Sequence, residues 1–508
     1  MKMLQTVVCA GVSVSALVAS AQTTGASGDG QAFDNRQESI ALNFVTRGNG
    51  IFGLGVPVRI FPYWRGAFTS GILSGGDWLL LDGQQLPINN YEAIFIEMGT
   101  TYGGDGQVTF ALPDARERVI VGLGTLAGGS TYIAGFPGGS SSRTLVTSNL
   151  PAHSHVLPSG VATSSVGGNQ AFDNRQAFLP MPFWMSRSGV FPGIDSGGGA
   201  VFGPGTPMLG QVYLSCLFFS DNGSRVYASG ALTPINVNQA LFSLLGTQYG
   251  GNGSTNFALP NLNGRTPINA RADAGPFFVG ETVGSELRTL TTANLPSHAH
   301  SIPGGFTSSV GSGAAFDNRQ PGLGLQFAIA TSGTFPSAST LNDSTGYVGE
   351  IIMFAGNFPP NGTLRCEGQL LPINQYTTLF SLIGTTFGGN GTTNFAIPDL
   401  RGRAIVGASD NWPVGEVRGS NSVVLTTAQI PAHSHTFARC GLSDVAGANQ
   451  AVGPNGVLTA DDIIVFLGWF IANDPRANVA GPNQSTIPDT VLTADNIIVF
   501  LGRFFAGC

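Results

Sequence analysis

Every histidine of this 508-residue chain sits in one of three copies of a single short motif. The copies are Leu150-Pro-Ala-His-Ser-His155, Leu295-Pro-Ser-His-Ala-His300 and Ile430-Pro-Ala-His-Ser-His435. Histidines placed for packing or solubility would not all fall at one point of a repeat. In an extended segment residues i and i+2 face the same way, so each pair can aim two imidazoles at one spot. Three repeats around a common axis would bring His153, His155, His298, His300, His433 and His435 to a single metal ion. Neutral imidazole suits Fe, Zn, Ni or Co, and six nitrogens favour octahedral geometry over the tetrahedral geometry of structural zinc. The competing reading is three surface turns whose histidines hydrogen-bond locally.

The rest of the chain repeats in step. Tyr102-Gly-Gly-Asp-Gly106 leads into Phe110-Ala-Leu-Pro-Asp114 and recurs from Tyr249 to Asn261 and from Phe387 to Asp399. The Gly-Gly-Asn-Gly cluster is a turn signal, and the alternating run after it predicts a strand. A phosphate loop would need Lys-Ser/Thr and a helix next, which are missing. The short run Leu379-Phe-Ser-Leu-Ile383 reads equally as a helical turn or a strand.

A third marker, Phe-Asp-Asn-Arg-Gln, stands at Phe33, Phe172 and Phe316. In repeats one and two it follows the histidines. Repeat three has no such tail, but an unattached copy lies near the N-terminus. The expectation is closure, with residues 31–62 completing repeat three and leaving no unpaired sheet edge.

Bulk properties narrow the class. With 73 Gly and 30 Pro but 42% hydrophobic residues, the chain suits a turn-rich, mainly β fold and is too apolar for a disordered linker. A net charge of −7 with no basic stripe argues against a nucleic-acid partner. Lys2, an apolar run from Leu4 to Val18 and Ala19-Ser20-Ala21 read as a signal peptide over 1–21, too short for a membrane anchor. Secretion or the extracellular surface is the expected location. In that setting Cys440 and Cys508, which bracket the last segment, invite a disulfide, whereas Cys216 and Cys366 read as separate buried thiols.

These residues resemble the phage tail collar domain, also found in microcystin-dependent-protein-like bacterial proteins. Repeat three carries the resemblance best, through Gly349-Glu-Ile-Ile-Met-Phe-Ala-Gly356, Cys366-Glu-Gly-Gln-Leu370, Pro398-Asp-Leu-Arg-Gly-Arg403 and Leu425 to His435. Copies one and two depart from it at Asp114-Ala-Arg-Glu-Arg118 and Asn261-Leu-Asn-Gly-Arg265. The resemblance implies a β-rich, adhesive or receptor-binding head, usually trimeric, in which His-x-His pairs surround an axial metal. Here one chain would supply all three arms as a monomeric pseudo-trimer, with repeats at 63–195, 209–338 and 347–439, the three closed into a pseudo-threefold ring.

Residues 440–508 hold a second duplication, Val457 to Gly468 recurring as Val491 to Gly502, with Thr459 and Thr493 as expected N-caps. It resembles a dockerin module, which implies a cohesin-like partner and calcium held by oxygens. Placing Asp462 last in the first loop puts Ala451 first, where Asp is expected, and the second loop runs from Ser485 to Asn496. Asp444, Asn455, Asp462, Asp489 and Asn496 are the candidate ligands. A two-helix staple closed by Cys440–Cys508 is the alternative.

The reading that follows is a secreted adhesive or structural protein with a cell-surface glycan or protein receptor, and no enzyme. The alternative is an exported carbohydrate-active enzyme or glycan-binding component, for which Asp77, Glu92, Glu97, Asp105 and Asp114 are candidate acids. Nothing in the sequence brings two of these carboxylates together, and no nucleophile elbow is present.

Overall fold

The computed structural model describes residues 21–47, 57–61, 78–158, 160–193, 207–215, 224–270, 277–303, 305–336, 346–438, 460–471, 477 and 496–501. It is mainly β, with a few short helices. The strands that frame the site are β1 (Ser39–Arg47), β2 (Pro57–Phe61), β3 (Val119–Gly122), β4 (Phe178–Met181) and β5 (Phe183–Ser186). Then come β6 (Gln211–Ser215), β7 (Thr266–Asn269), β8 (Gly322–Ala330), β9 (Ile351–Phe354) and β10 (Ala404–Gly407).

Each repeat also carries one seven-residue helix: α1 (Glu92–Met98), α2 (Gln239–Leu245) and α3 (Thr377–Ile383). The apolar run at Leu379 is therefore helical. Leu379, Leu382 and Ile383 bury at helical spacing, and Gly384 ends the turn at φ 54° with its N–H on the carbonyl of Phe380. The predicted strands after the glycine clusters form as Thr109–Ala111, Asn256–Ala258 and Asn394–Ala396, paired with Gln85–Pro87, Leu232–Pro234 and Leu370–Pro372.

The strands β3, β7 and β10 are buried throughout. Each runs parallel to a partner: β3 to β4, β7 to β8, and β10 to β1. Parallel pairs bury both faces, which is why these strands read as near-continuous apolar runs instead of alternating ones. In the first two cases the partner follows in the same repeat. In the third it is β1, from the opposite end of the chain. Antiparallel pairing then joins β1 to β2, β5 to β6 and β8 to β9.

Two junctions tie these units together. At one, β2, β6 and β9 pair with each other, through Leu214 with Val58, Gln211 with Phe354 and Ile351 with Ile60. At the other, Val406 pairs with Val119, Ile268 with Ala404 and Gly122 with Asn263. The circuit β10–β7–β8–β9–β2–β1 returns to β10, a closed six-stranded barrel within the larger sheet. Closure removes the exposed edge that an open sheet would present. The junction is tight: a Cβ at Gly407 would press into the carbonyl oxygen of Ala115, and one at Gly122 into that of Leu262.

The last described segments are α4 (Ala460–Ile471) and the helical stretch 496–501. They meet through Phe466 and Phe500, whose rings stack with centroids 3.8 Å apart. Cys440, Cys508, Asp444, Asn455, Asp489, Thr459 and Thr493 lie outside the described residues, as do residues 1–20. Asp462 falls within α4 and Asn496 is fully buried. Calcium finds no support there. Among the described residues no helix is long and apolar enough to cross a membrane.

Candidate metal centre

Each His-x-His pair is held by the turn before it. Short 3-10 turns at Thr147–Asn149, Thr292–Asn294 and Thr427–Gln429 are closed by a side chain. There Asn149, Asn294 and Gln429 each accept the backbone N–H three residues earlier. The next residues, Leu150, Leu295 and Ile430, are fully buried. They pack with Phe33, Phe172 and Phe316, whose rings form a triangle with all three centroid separations at 5.8 Å. The three turns are thus pressed onto one apolar plug, with the histidines directly after it.

All six histidines are buried. His153, His298 and His433 each place Nδ1 2.9–3.0 Å from the carbonyl of the proline two residues before. In His155, His300 and His435 the Nδ1 reaches a distant segment of the chain instead. It lies 2.7 Å from Ser308 O, 2.8 Å from Gly25 O and 2.7 Å from Ser164 O respectively. A carbonyl can only accept, so every Nδ1 carries the hydrogen and every neutral ring keeps its lone pair on Nε2.

Those lone pairs converge. Nε2 of His153 lies 3.2 Å from Nε2 of His433 and 3.3 Å from that of His298. Nε2 of His155, His300 and His435 are buried with no hydrogen-bond partner. Buried polar atoms are nearly always satisfied, and facing acceptors repel, so the cluster lacks an electron-pair acceptor. Protonation does not supply it: burial, then the neighbouring histidines, hold His155 and His433 down to about 4. Burial likewise lowers His298, His300 and His435.

The ring contacts define the polyhedron. His153 meets His155, His298, His433 and His435 edge-on at 5.0–5.4 Å, but not His300. The same pattern leaves His155 opposite His433 and His298 opposite His435. Three opposed pairs among six ligands is an octahedron. An octahedral ion with metal–nitrogen bonds near 2.1 Å sets adjacent nitrogens about 3.0 Å apart, close to the separations here. The cluster can hold a metal ion, and subsets of four ligand nitrogens lie within 4.8 Å of one another.

One family model recognises the chain. The Phage Tail Collar Domain matches it three times, at residues 64–120, 226–267 and 349–405. Three tandem collar copies are supported. No curated protein and no solved structure matches the chain. The histidine motifs lie downstream of each matched collar stretch. The collar matches point to a structural protein of phage-tail type.

Two of the acids weighed for catalysis, Asp105 and Asp114, are engaged in turns and an ion pair. Asp105 Oδ1 accepts the backbone N–H of Gln107, Val108 and Thr109, which lowers its carboxyl to about 2. Asn252 and Asn390 do the same work in the other collar copies. Asp114 pairs with Arg116 at 2.8 Å. Glu92 and Glu97 lie on α1, and Asp77 is outside the described residues.

Residue-by-residue reading did not find the acceptors at Gly25, Ser164 and Ser308. A constant offset of eight residues before Phe33, Phe172 and Phe316 could have located them.

Proposed function

We propose that the chain is a secreted or cell-surface adhesive structural protein of tail-collar type. Its three collar copies form a fused pseudo-trimer around one axial transition-metal ion, with the N-terminal segment completing copy three. The ligands are His153, His155, His298, His300, His433 and His435. The observation that carries this reading is the convergence of six buried Nε2 lone pairs, each fixed by a backbone carbonyl on the other ring nitrogen. With six protein ligands no coordination position is left for water or substrate, so the ion is structural. It ties together segments as distant as Gly25 and His435 and makes folding metal-dependent. Parallel pairing of β1 with β10 supports the closure of the ring. Receptor recognition falls to exposed loops, and the segment after residue 439 serves as the tether.

Metal analysis by mass spectrometry on the full chain, beside His433→Ala/His435→Ala, tests the centre. The expected result is about one transition-metal ion per chain, lost in the variant together with thermal stability. A metal-free parent that melts like the variant would exclude it.

A further inference from the structure

One junction of repeat two departs from its counterpart in repeat three. In repeat three Arg403 donates from Nε to Glu38 Oε1 at 2.8 Å, with Nη2 at 2.8 Å from the same oxygen and Nη1 3.4 Å from Asp399 Oδ2. The second oxygen of Glu38 accepts from Asn421 Nδ2 at 3.2 Å. Repeat one keeps part of this, with Arg118 3.3 Å from Asp114. Position for position, repeat two has Arg265 for Arg403, Asn261 for Asp399, Pro321 for Glu38 and Glu286 for Asn421.

Arg265 therefore keeps its charge and loses both carboxylates. Its Nη1 reaches only the carbonyls of Asn261 and Asn263, at 3.3 and 3.5 Å, and among the described residues it makes no ion pair. Burial pulls its guanidinium below the ordinary value with nothing to offset it. Glu286 faces Tyr132 instead, accepting its hydroxyl at 2.5 Å and the N–H of Ser130 at 2.9 Å, with Arg175 at 3.7 Å. Where repeat three places the Glu38 carboxylate, repeat two has an open cleft of about 380 Å³. Arg265, Pro321 and residues 282–287 line it, and residues 126–129 of repeat one form its far wall.

We propose that this cleft binds a small sugar acid, with the ligand's carboxylate on Arg265 in the position that Glu38 occupies in repeat three. Arginine takes carboxylates through paired N–H donors, and the geometry for that pairing is already used by Arg403. Thr282 and the remaining lone pairs of Glu286 are left for hydroxyl groups of the ring, as are those of Ser285, whose hydroxyl hydrogen already goes to the Leu287 carbonyl at 2.6 Å. The volume is that of a small-ligand pocket. The site goes beyond the structural role above and rests on neither the metal nor any receptor.

The test is calorimetric titration of the full chain with glucuronate, glucose and inorganic phosphate, repeated on Arg265→Gln and Pro321→Glu. The second variant keeps the arginine but returns a carboxylate to the junction. Glutamate is accommodated at the matching position of repeat three, where the Glu38 carbonyl still accepts from Ala404 N–H. Glucuronate should bind the parent, glucose and phosphate should bind about tenfold more weakly or worse, and each substitution should weaken glucuronate about tenfold or more. Melting curves confirm that the variants fold, and Pro321→Glu alone suffices if Arg265→Gln does not. A parent that ignores glucuronate, phosphate binding as tight as glucuronate, or glucuronate affinity that survives Pro321→Glu overturns the proposal.

Discussion

The Nδ1 hydrogen of His155 is donated to the carbonyl oxygen of Ser308, 2.7 Å away in the next repeat. His300 and His435 repeat this relationship with Gly25 and Ser164, so each of the three imidazoles is oriented by a distant segment of the chain. The backbone thus fixes the tautomer of all six rings, and the six Nε2 atoms are arranged so that they could hold an ion.

Replacing His155 with alanine removes one of the six nitrogens and leaves the Ser308 carbonyl without its donor. Metal affinity should fall by more than the roughly 10–100-fold that loss of an outer-shell partner costs. Dialysis against a graded chelator series, with metal content measured at each step, reads the loss. Unchanged retention would show that His155 is not a ligand.

Acid should weaken the fold in a defined window. In the folded chain His298, His300 and His435 sit below their ordinary value of 6.5, and His155 and His433 at about 4, so between these limits the unfolded chain binds more protons. Stability is then fully present above pH 6.5 and declines as pH falls towards about 4. Thermal melts across pH 4 to 7 should show a falling midpoint, and the decline should flatten in a variant without the six histidines.

Arg59 of β2 and Glu350, at the opening of repeat three, form a buried ion pair at 2.5 Å, exposed by only 5% and 8%. Glu350→Ala would strand a charge next to the Tyr347 ring, which lies 4.8 Å from the guanidinium carbon. The expected loss is about 3–5 kcal/mol in chemical denaturation. Adding Arg59→Met should recover most of it. A loss below about 1 kcal/mol would mean that the pair is solvated and does not anchor the N-terminal segment.

Gly407→Ala tests the tight junction. The new methyl group would meet the Ala115 carbonyl oxygen, so β10 or its neighbour must shift. A cost of about 1–3 kcal/mol is expected, visible as a lower melting temperature. The same change at Gly402, where a Cβ would meet nothing nearby, lacks that clash and isolates the strain of its φ of +70°.

Much of this architecture was legible because it rests on side chains. The His-x-His spacing announced convergence, and the unattached Phe33 marker stands just before β1, the strand that pairs with β10. The helix at Leu379 was ambiguous because five apolar-rich residues fit either period until Gly384 is seen to end the turn. The carbonyl acceptors of the histidines left no such trace. Gly25 and Ser308 do one job with different side chains, since only the main-chain oxygen takes part. Asp105 misled for the opposite reason. A carboxylate in a glycine cluster looks chemically poised, yet it serves as a turn brace that Asn252 and Asn390 replace without loss.

In an assembly of three identical chains, any change at a junction would appear in triplicate. Carrying the three copies on one polypeptide frees each junction to drift alone. Glu38 can go on locking Arg403 while its counterpart, Pro321, leaves Arg265 open to solvent molecules. The histidine motif is kept in all three copies while the Arg265 junction has changed in one, so a single chain can own a feature that a homotrimer would have to display three times.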